Sequence, residues 1–325
     1  MVEEQLIVPT YSSGWASASI AAHRGLALPF QIAGEVRRRF LCLGSASVDM
    51  LEIGREKLIG PIATRLFGPL PPPQRGPARA VWSPAELARL DADLVITEVH
   101  RWMAPRFQRA GWLLIPGGVR WCGDLATVPP TQPCQSLRDD LRKVRNNGFT
   151  IEHTSARSDW EEFYTRMVRP QALARHGDGA WMPSSRLRRH LEKAGILHLV
   201  SLAGARVAGT CSIGHGDVIW FPVSGVREGD RSLMQRGAGI AALALALGWA
   251  RSQGYRQIDL GRTSPFVNDG IHRFKRKWGL LPVPDPLAHL MAVLVRSARA
   301  REAFSREPVM VESGRALGVY AGHDL

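Results

Sequence analysis

Strand-like and helix-like segments alternate along 325 residues and predict an α/β protein of mixed, mostly antiparallel sheets flanked by helices. Three observations carry that prediction. Strand candidates at Leu197–Leu202, Arg206–Ile213 and Val218–Val223 follow one another without an intervening helix, and the turn at Gly204 makes the first two a hairpin. Amphipathic helices precede them, among them Ser136–Asn147, with Leu137, Leu141 and Val144 on one face. Two proline-rich stretches punctuate the first half: Gly68–Pro77, read as an exposed loop because proline fits neither helix nor central strand, and Val128–Pro133, read as a hinge between halves.

In chain order, Arg39–Gly44 and Met50–Ile53 read as strands. Ser83 opens a helix with a capping-box pattern, Ser83 to Glu86, and Pro84 at its first position. Asp93–Glu98 reads as a buried strand and Arg101–Ala110 as a helix stopped by Gly111. In the second half, Arg138, Arg142 and Arg145 line the face of the 136–147 helix away from its leucines, and Gly148 ends it. Phe149–His153 is a strand, Asp159–Val168 a helix, and Ser184–Ala194 a helix carrying Arg186, Arg188, Arg189, His190 and Lys193. Helix Gly237–Ser252 and strand Gln257–Leu260 follow. A tail helix, Leu287–Phe304, shows an apolar stripe that fits a membrane surface or, in the favoured reading, docks on the protein's own core. The expected domains are 1–135, 136–284 and a C-terminal helix and tail, 285–325.

Composition is ordinary for a globular chain, 45% hydrophobic and 22% charged, but Lys and Arg outnumber Asp and Glu by 42 to 29, for a formal charge of +13. The excess favours polyanionic partners such as RNA, nucleotide cofactors or anionic headgroups; an Arg-, Ala- and Gly-rich composition accounts for it equally. The four cysteines, Cys42, Cys122, Cys134 and Cys211, form no CxxC pair, so neither a metal site nor a disulfide framework is expected. The N-terminus begins acidic, without a signal pattern, and no stretch approaches 18 apolar residues. A cytoplasmic protein without a transmembrane segment is expected.

Chemistry concentrates in two places. Asp269 to Gly279 sets Arg273, Lys275, Arg276 and Lys277 beside Phe274 and Trp278, either as an active-site lip for an anionic substrate or as a solvated basic turn whose aromatics pack inward. The second place is the junction from Val218 to Ala241. Pro222 inside its strand cannot donate to a ladder and demands a bulge or splayed pairing, which leaves backbone N–H groups free for a carbonyl oxygen. Helix entry through Arg236-Gly237-Ala238-Gly239-Ile240-Ala241 offers N–H groups for an anion, with Arg231 and Arg236 adding charge; small residues chosen for packing explain it as well.

That order of elements, with the Arg236–Ala241 motif, resembles the Gcn5-related N-acetyltransferase (GNAT) superfamily. The segment Ser136–Phe149, then Val207-Ala208-Gly209, Asp259-Leu260-Gly261, and Phe274-Lys275 with Trp278-Gly279, resembles its Fem-like branch. The resemblance covers residues 136–284 and implies tandem GNAT-like domains with a degenerate N-terminal lobe. It implies transfer of an amino acid from aminoacyl-tRNA to an amine by direct attack, with no covalent enzyme intermediate and no tightly bound cofactor. Phe274 and Lys275 match the Phe-Lys pair at the family's transfer site; the loop at Arg231, Arg236, Gly237 and Gly239 matches its donor-phosphate loop. A base is also required, from among Asp269, His272, His215 and Asp259; Asp259 is equally a structural acceptor. Arg142, Arg145, Arg189, Arg273 and Lys277 are the residues expected to hold tRNA. Trp220 and His176 are expected to line the acceptor pocket, although Arg175-His176-Gly177 also reads as a surface turn. Fem-like enzymes often lose the phosphate loop, so its presence keeps acetyl-CoA or acyl-CoA open as donor. The absence of a long heptad segment favours a small-molecule amine acceptor over a lipid-linked cell-wall precursor.

Overall fold

The computed structural model describes residues 33–43, 46–80, 83–177 and 182–323. The N-terminal segment and Gly44 lie outside them. The first stretch runs β1 (Ala33–Leu43), β2 (Ala46–Ile53), α1 (Glu56–Phe67), β3 (Gln74–Ala80), α2 (Pro84–Ala88), β4 (Leu94–Val99), α3 (Ala104–Arg109), β5 (Leu113–Pro116) and β6 (Val119–Asp124). The middle runs α4 (Gln135–Asn147), β7 (Thr150–Thr154), α5 (Arg157–Glu162), a π-helical turn (Phe163–Val168), α6 (Arg169–His176) and α7 (Ser185–Ala194). Then come β8 (Ile196–Leu202), β9 (Ala205–His215), β10 (Val218–Val226), α8 (Arg231–Arg236), α9 (Ala238–Ser252) and β11 (Gln257–Thr263). The chain ends with α10 (Gly270–Lys277), β12 (Leu281–Pro284), β13 (Leu290–Val295), α11 (Ala298–Arg306) and the hairpin β14 (Val309–Ser313) and β15 (Ala316–Tyr320).

These elements make two compact units. One holds Met1–Arg120, Arg262–Arg273 and Pro282–Leu325; the other holds Trp121–Gly261 and Phe274–Leu281. The units differ from the contiguous domains expected at 1–135, 136–284 and 285–325. The proline-rich stretch at 128–133 is no hinge between them. It sits inside the second unit, where Arg251 Nε donates to Leu125 O at 3.0 Å and its Nη2 to Val128 O.

The first unit is built on a six-stranded sheet in the order β3-β1-β2-β4-β13-β5. Its C-terminal contribution overturns the tail-helix expectation. Leu290–Val295 is a central strand, paired antiparallel to β4 on one side and β5 on the other. Met291 and Val293 enter one core cluster while Leu290 and Ala292 enter the other. A strand covered on both faces is apolar throughout, and such a run has no period by which to distinguish it from a helix. The true helix, α11, begins at Ala298 after the Ser297 cap. Gly68–Pro77 is likewise only partly loop, since Gln74–Ala80 pairs with β1 as the edge strand. Proline is tolerated at a sheet edge, and Pro77 falls where the β1–β3 register shifts. The Ser83–Glu86 capping box forms as expected: Ser83 Oγ accepts from Glu86 N, and Glu86 Oε2 accepts from Ser83 N.

The second unit is built on the sheet run β6-β11-β10-β9-β8-β7. One face packs α4 and α9 through Val144, Val200, Leu202, Ala238 and Ala241. The opposite face packs the α5–α6 segment and α7 through Trp160, Phe163, Met167, Leu191, Leu197 and Leu199. The alternation of Leu197 and Leu199 against Val200 and Leu202 is the period-two signature of a sheet buried on both sides. Gly148 caps α4 in the left-handed region at φ +66°, as its position predicts.

Candidate functional site

The centre of the second unit is a fork between β10 and β11. The two strands pair in parallel at Val218–Gln257, Ile219–Ile258 and Trp220–Asp259, and pairing stops there although both strands continue. On its other edge β10 bulges. Trp220 faces Ile213 and Val223 faces Cys211, so Phe221 and Pro222 together oppose Ser212. Pro222 has no N–H, and the sequence's demand for an irregular strand is met at this point.

Asp259 and Gly261 shape the root of the fork. The Asp259 carboxyl is buried, and its Oδ1 accepts from Gly261 N at 2.6 Å. This Asx-type turn places Gly261 at φ +74°, in the left-handed region. A Cβ there would meet Trp220 Nε1 at an ordinary 3.4 Å, so it is the backbone angle, and not space, that calls for glycine. The Gly261 carbonyl accepts from Lys275 Nζ at 3.0 Å. Lys275 is 6% exposed, an unusual state for an ammonium. It projects from α10 beside Phe274, which packs on the buried Trp278 with ring centroids 6.2 Å apart. The structure therefore brings Lys275, Trp220 and Asp259 together where the two strands stop pairing, with Phe274 next to Lys275 on α10.

The other expected residues are placed differently. Arg231 and Arg236 are exposed on α8, capped by Asp230, whose Oδ1 accepts from Ser232 N at 2.6 Å. What the sequence presents as a loop is thus largely a helical turn. Gly237 ends it at φ +95°, and its N–H is spent on Met234 O at 3.0 Å. Asn147 Nδ2 donates to Arg236 O at 3.0 Å, and a Cβ at Gly237 would touch Lys143 Cβ at 3.4 Å. Gly237 is required by its backbone angle, and α4 closes over that turn. A Cβ at Gly239 would meet only Val226 at an ordinary 3.4 Å.

The basic helices are not assembled into one surface. Arg142 and Arg145 are exposed on α4 and Arg189 on α7, and these helices cover opposite faces of the sheet. Arg142 pairs with Asp139 at 3.1 Å, and Arg189 Nε reaches back to Ser185 O at 3.4 Å. Lys277 pairs with Asp140 at 2.5 Å and lies 5.5 Å from the centre of the Phe274 ring, so it holds the helix as well as carrying charge. Arg273 is exposed on α10. His176 ends α6, and its side chain lies outside the described residues.

Asp269 belongs to the first unit and caps α10: Oδ1 accepts from Ile271 N and Oδ2 from Ser264 Oγ, both at 2.8 Å. His272 Nε2 lies 2.9 Å from Thr263 Oγ1 and 2.7 Å from Ser264 O. Among the described residues no group of three His, Cys, Asp or Glu gathers as metal ligands, and no helix is long and apolar enough to cross a membrane. The sequence reading missed the pairing of Asp259 with Gly261 as a device that aims Lys275. The Asp-x-Gly spacing was its visible signal.

No family model and no curated protein sequence matches the chain. Solved structures do align with it. L-PGS from Bacillus licheniformis aligns at 15% identity with a TM-score of 0.43, over 82% of this chain and 85% of that one. FemX aligns at 10% identity and a TM-score of 0.41, over 79% and 88%. A GCN5-related N-acetyltransferase from Kribbella flavida aligns at 15% identity and a TM-score of 0.33, over 62% and 66%. Structural neighbours of the chain therefore include both Fem-type and GCN5-related proteins.

Proposed function

We propose that the protein is an acyltransferase that moves an amino acid from aminoacyl-tRNA onto an amine, with the β10–β11 fork as the transfer site. One observation carries this reading: a buried lysine is aimed by a backbone carbonyl at the opening between two splayed strands. The chemistry needs such a group. The acceptor nitrogen attacks the ester carbonyl carbon, a C–N bond forms, and charge collects on the carbonyl oxygen. Collapse breaks the C–O bond to the terminal ribose, and the proton lost by the amine ends on that ribose oxygen. An ammonium in a water-poor site stabilises the developing oxyanion or the departing alkoxide, and N–H groups of unpaired strand add to it. Phe274 and Trp278 exclude water around it. The acceptor is a small amine-bearing molecule, with Trp220 as one wall of its site.

Aminoacyl-tRNA is favoured over acyl-CoA by the turn before α9. A coenzyme A pyrophosphate needs free N–H groups and open space at that helix start, whereas Gly237 N is already bonded and α4 covers the turn. Arg231, Arg236, Gly237 and Gly239 are then packing and surface residues of α8 and α9. Acyl-CoA stands as the second reading because both arginines remain exposed beside a 15-residue helix. Binding of total charged tRNA and of acetyl-CoA to the same preparation, titrated across salt, separates the two. Salt-dependent tRNA binding without coenzyme A binding supports aminoacyl transfer; tight coenzyme A binding alone replaces it with acyl-CoA-dependent N-acylation.

A further inference from the structure

The first unit holds a cavity of about 450 Å³ that plays no part in the lysine site. One wall is a face of α1, on which Lys57, Pro61 and Arg65 recur every fourth residue, so the two basic residues arise about 12 Å apart along the helix with Pro61 between them. Another wall is Ser264, Pro265, Phe266 and Asp269, a segment fixed in place: Met310 N donates to Pro265 O at 2.8 Å and Val267 N to Pro308 O at 2.9 Å. His289 and Gly117 complete it.

Three polar groups in this cavity have unused capacity. Arg65 is engaged with Glu307 at 3.1 Å, but Lys57 has no ion pair among the described residues. His289 lies flat over Gly117, where an added Cβ would fall 2.1 Å from Cε1, so the ring's position depends on that glycine. Its ring nitrogens have no hydrogen-bond partner among the described residues. Burial lowers its pKa; Glu98 opposes this while the guanidiniums of Arg55, Arg262 and Arg101 add to it, so at neutral pH the ring is uncharged, with one donor and one acceptor nitrogen. Asp269 already receives Ser264 Oγ and Ile271 N, and each carboxylate oxygen has a second lone-pair site.

The complement of a free ammonium at one side, and of a carboxylate with a neutral imidazole at the other, is a molecule charged oppositely at its two ends. We infer that this cavity binds a small zwitterion of the amino-acid type, its anionic group at Lys57, its apolar body against Pro61 and Phe266, and its ammonium at Asp269 and His289. A cavity of this volume takes molecules from amino-acid to dipeptide size. This binding is independent of the proposed transferase reading.

Calorimetric titration of the full chain with 6-aminohexanoate, hexanoate and hexylamine tests it. The zwitterion is expected to bind at least about tenfold more tightly than either half-molecule. Lys57→Glu, at an exposed position, should remove that advantage by weakening the hold on the carboxylate. Asp269→Asn, which keeps an N-cap residue, should weaken the hold on the ammonium. Equal affinity for all three probes, preference for hexanoate alone, absence of binding at millimolar concentration, or unaltered binding in both variants overturns the inference. No donor is present in this experiment. Zwitterion binding in a protein that transfers nothing sinks the transferase reading alone, whereas transfer with no zwitterion binding sinks this inference alone.

Discussion

At Gly261 two demands meet on one residue: a left-handed backbone angle and a carbonyl turned toward Lys275. Gly261→Ala forces a Cβ into the left-handed region at a cost of about 1–2 kcal/mol. The expected result is a folded protein with a lower denaturation midpoint and a larger loss of transfer than of stability, read by urea titration beside a transfer assay. Asp259 acts through the same turn. Asp259→Asn keeps an acceptor for Gly261 N and should retain most activity, whereas Asp259→Ala should behave like the glycine variant. Equal damage from both would mean that the charge of Asp259, and not its turn, matters. Lys275→Ala removes the aimed ammonium and is expected to lower turnover by about two to three orders of magnitude. Its circular dichroism and thermal transition should stay near those of the parent. Loss of the thermal transition instead would make Lys275 a structural residue.

Among the elements, β7 and β8 carry a testable pH dependence. His198 is fully buried, 2.8 Å from His153 through facing Nδ1 atoms and 2.7 Å from Ser212 Oγ through Nε2. Trp249 lies against both imidazoles. Burial, and to a lesser degree the charge of His153, push the His198 pKa down from 6.5 to about 3. The unfolded chain therefore takes up this proton more readily than the folded one. Stability from this group is complete above pH 6.5 and falls as pH drops from there toward 3, by up to about 1.4 kcal/mol per pH unit. Urea midpoints measured from pH 7.5 to 4 should show that decline, and His198→Gln should flatten it. An unchanged slope in that variant would assign acid sensitivity to other groups.

At this scale, too, lies what was legible in the sequence. The 136–147 helix, the Ser83 capping box, the Gly204 hairpin and the Pro222 irregularity are local in cause, so short windows of sequence reveal them. The Leu290–Val295 strand was not, because its identity depends on β4 and β5, nearly two hundred residues earlier. The Phe274-Lys275 pair was visible as a charge run beside aromatics. What aims the lysine was not, since Gly261 reaches it only through tertiary structure. Lys57 and His289 carried no signal, because the residues that make them neighbours are spread across three segments of the chain.

On the scale of the whole molecule the chain carries +13, and within the second unit its basic helices do not share one face. Several of its arginines are engaged in ion pairs, and the exposed ones on α4 and α7 look out from opposite faces of the second unit's sheet. A tRNA covering one face would neutralise one set only. Charge reversal at Arg142 and Arg145 together is thus expected to lower both tRNA affinity and its salt slope, by about one unit for each phosphate that is no longer neutralised. Reversal at Arg189 should have a different effect from reversal on α4. Equal effects from the two helices would contradict one-face binding.

The central claim is that Lys275 serves transfer from aminoacyl-tRNA, and the most direct measurement is release of radiolabelled amino acid from a total charged tRNA pool into an amide product. The parent protein should form that product with a mixture of small amines and lose it on Lys275→Ala while staying folded. Product formation from acyl-CoA but not from charged tRNA, or equal product from a folded Lys275→Ala variant, would contradict it.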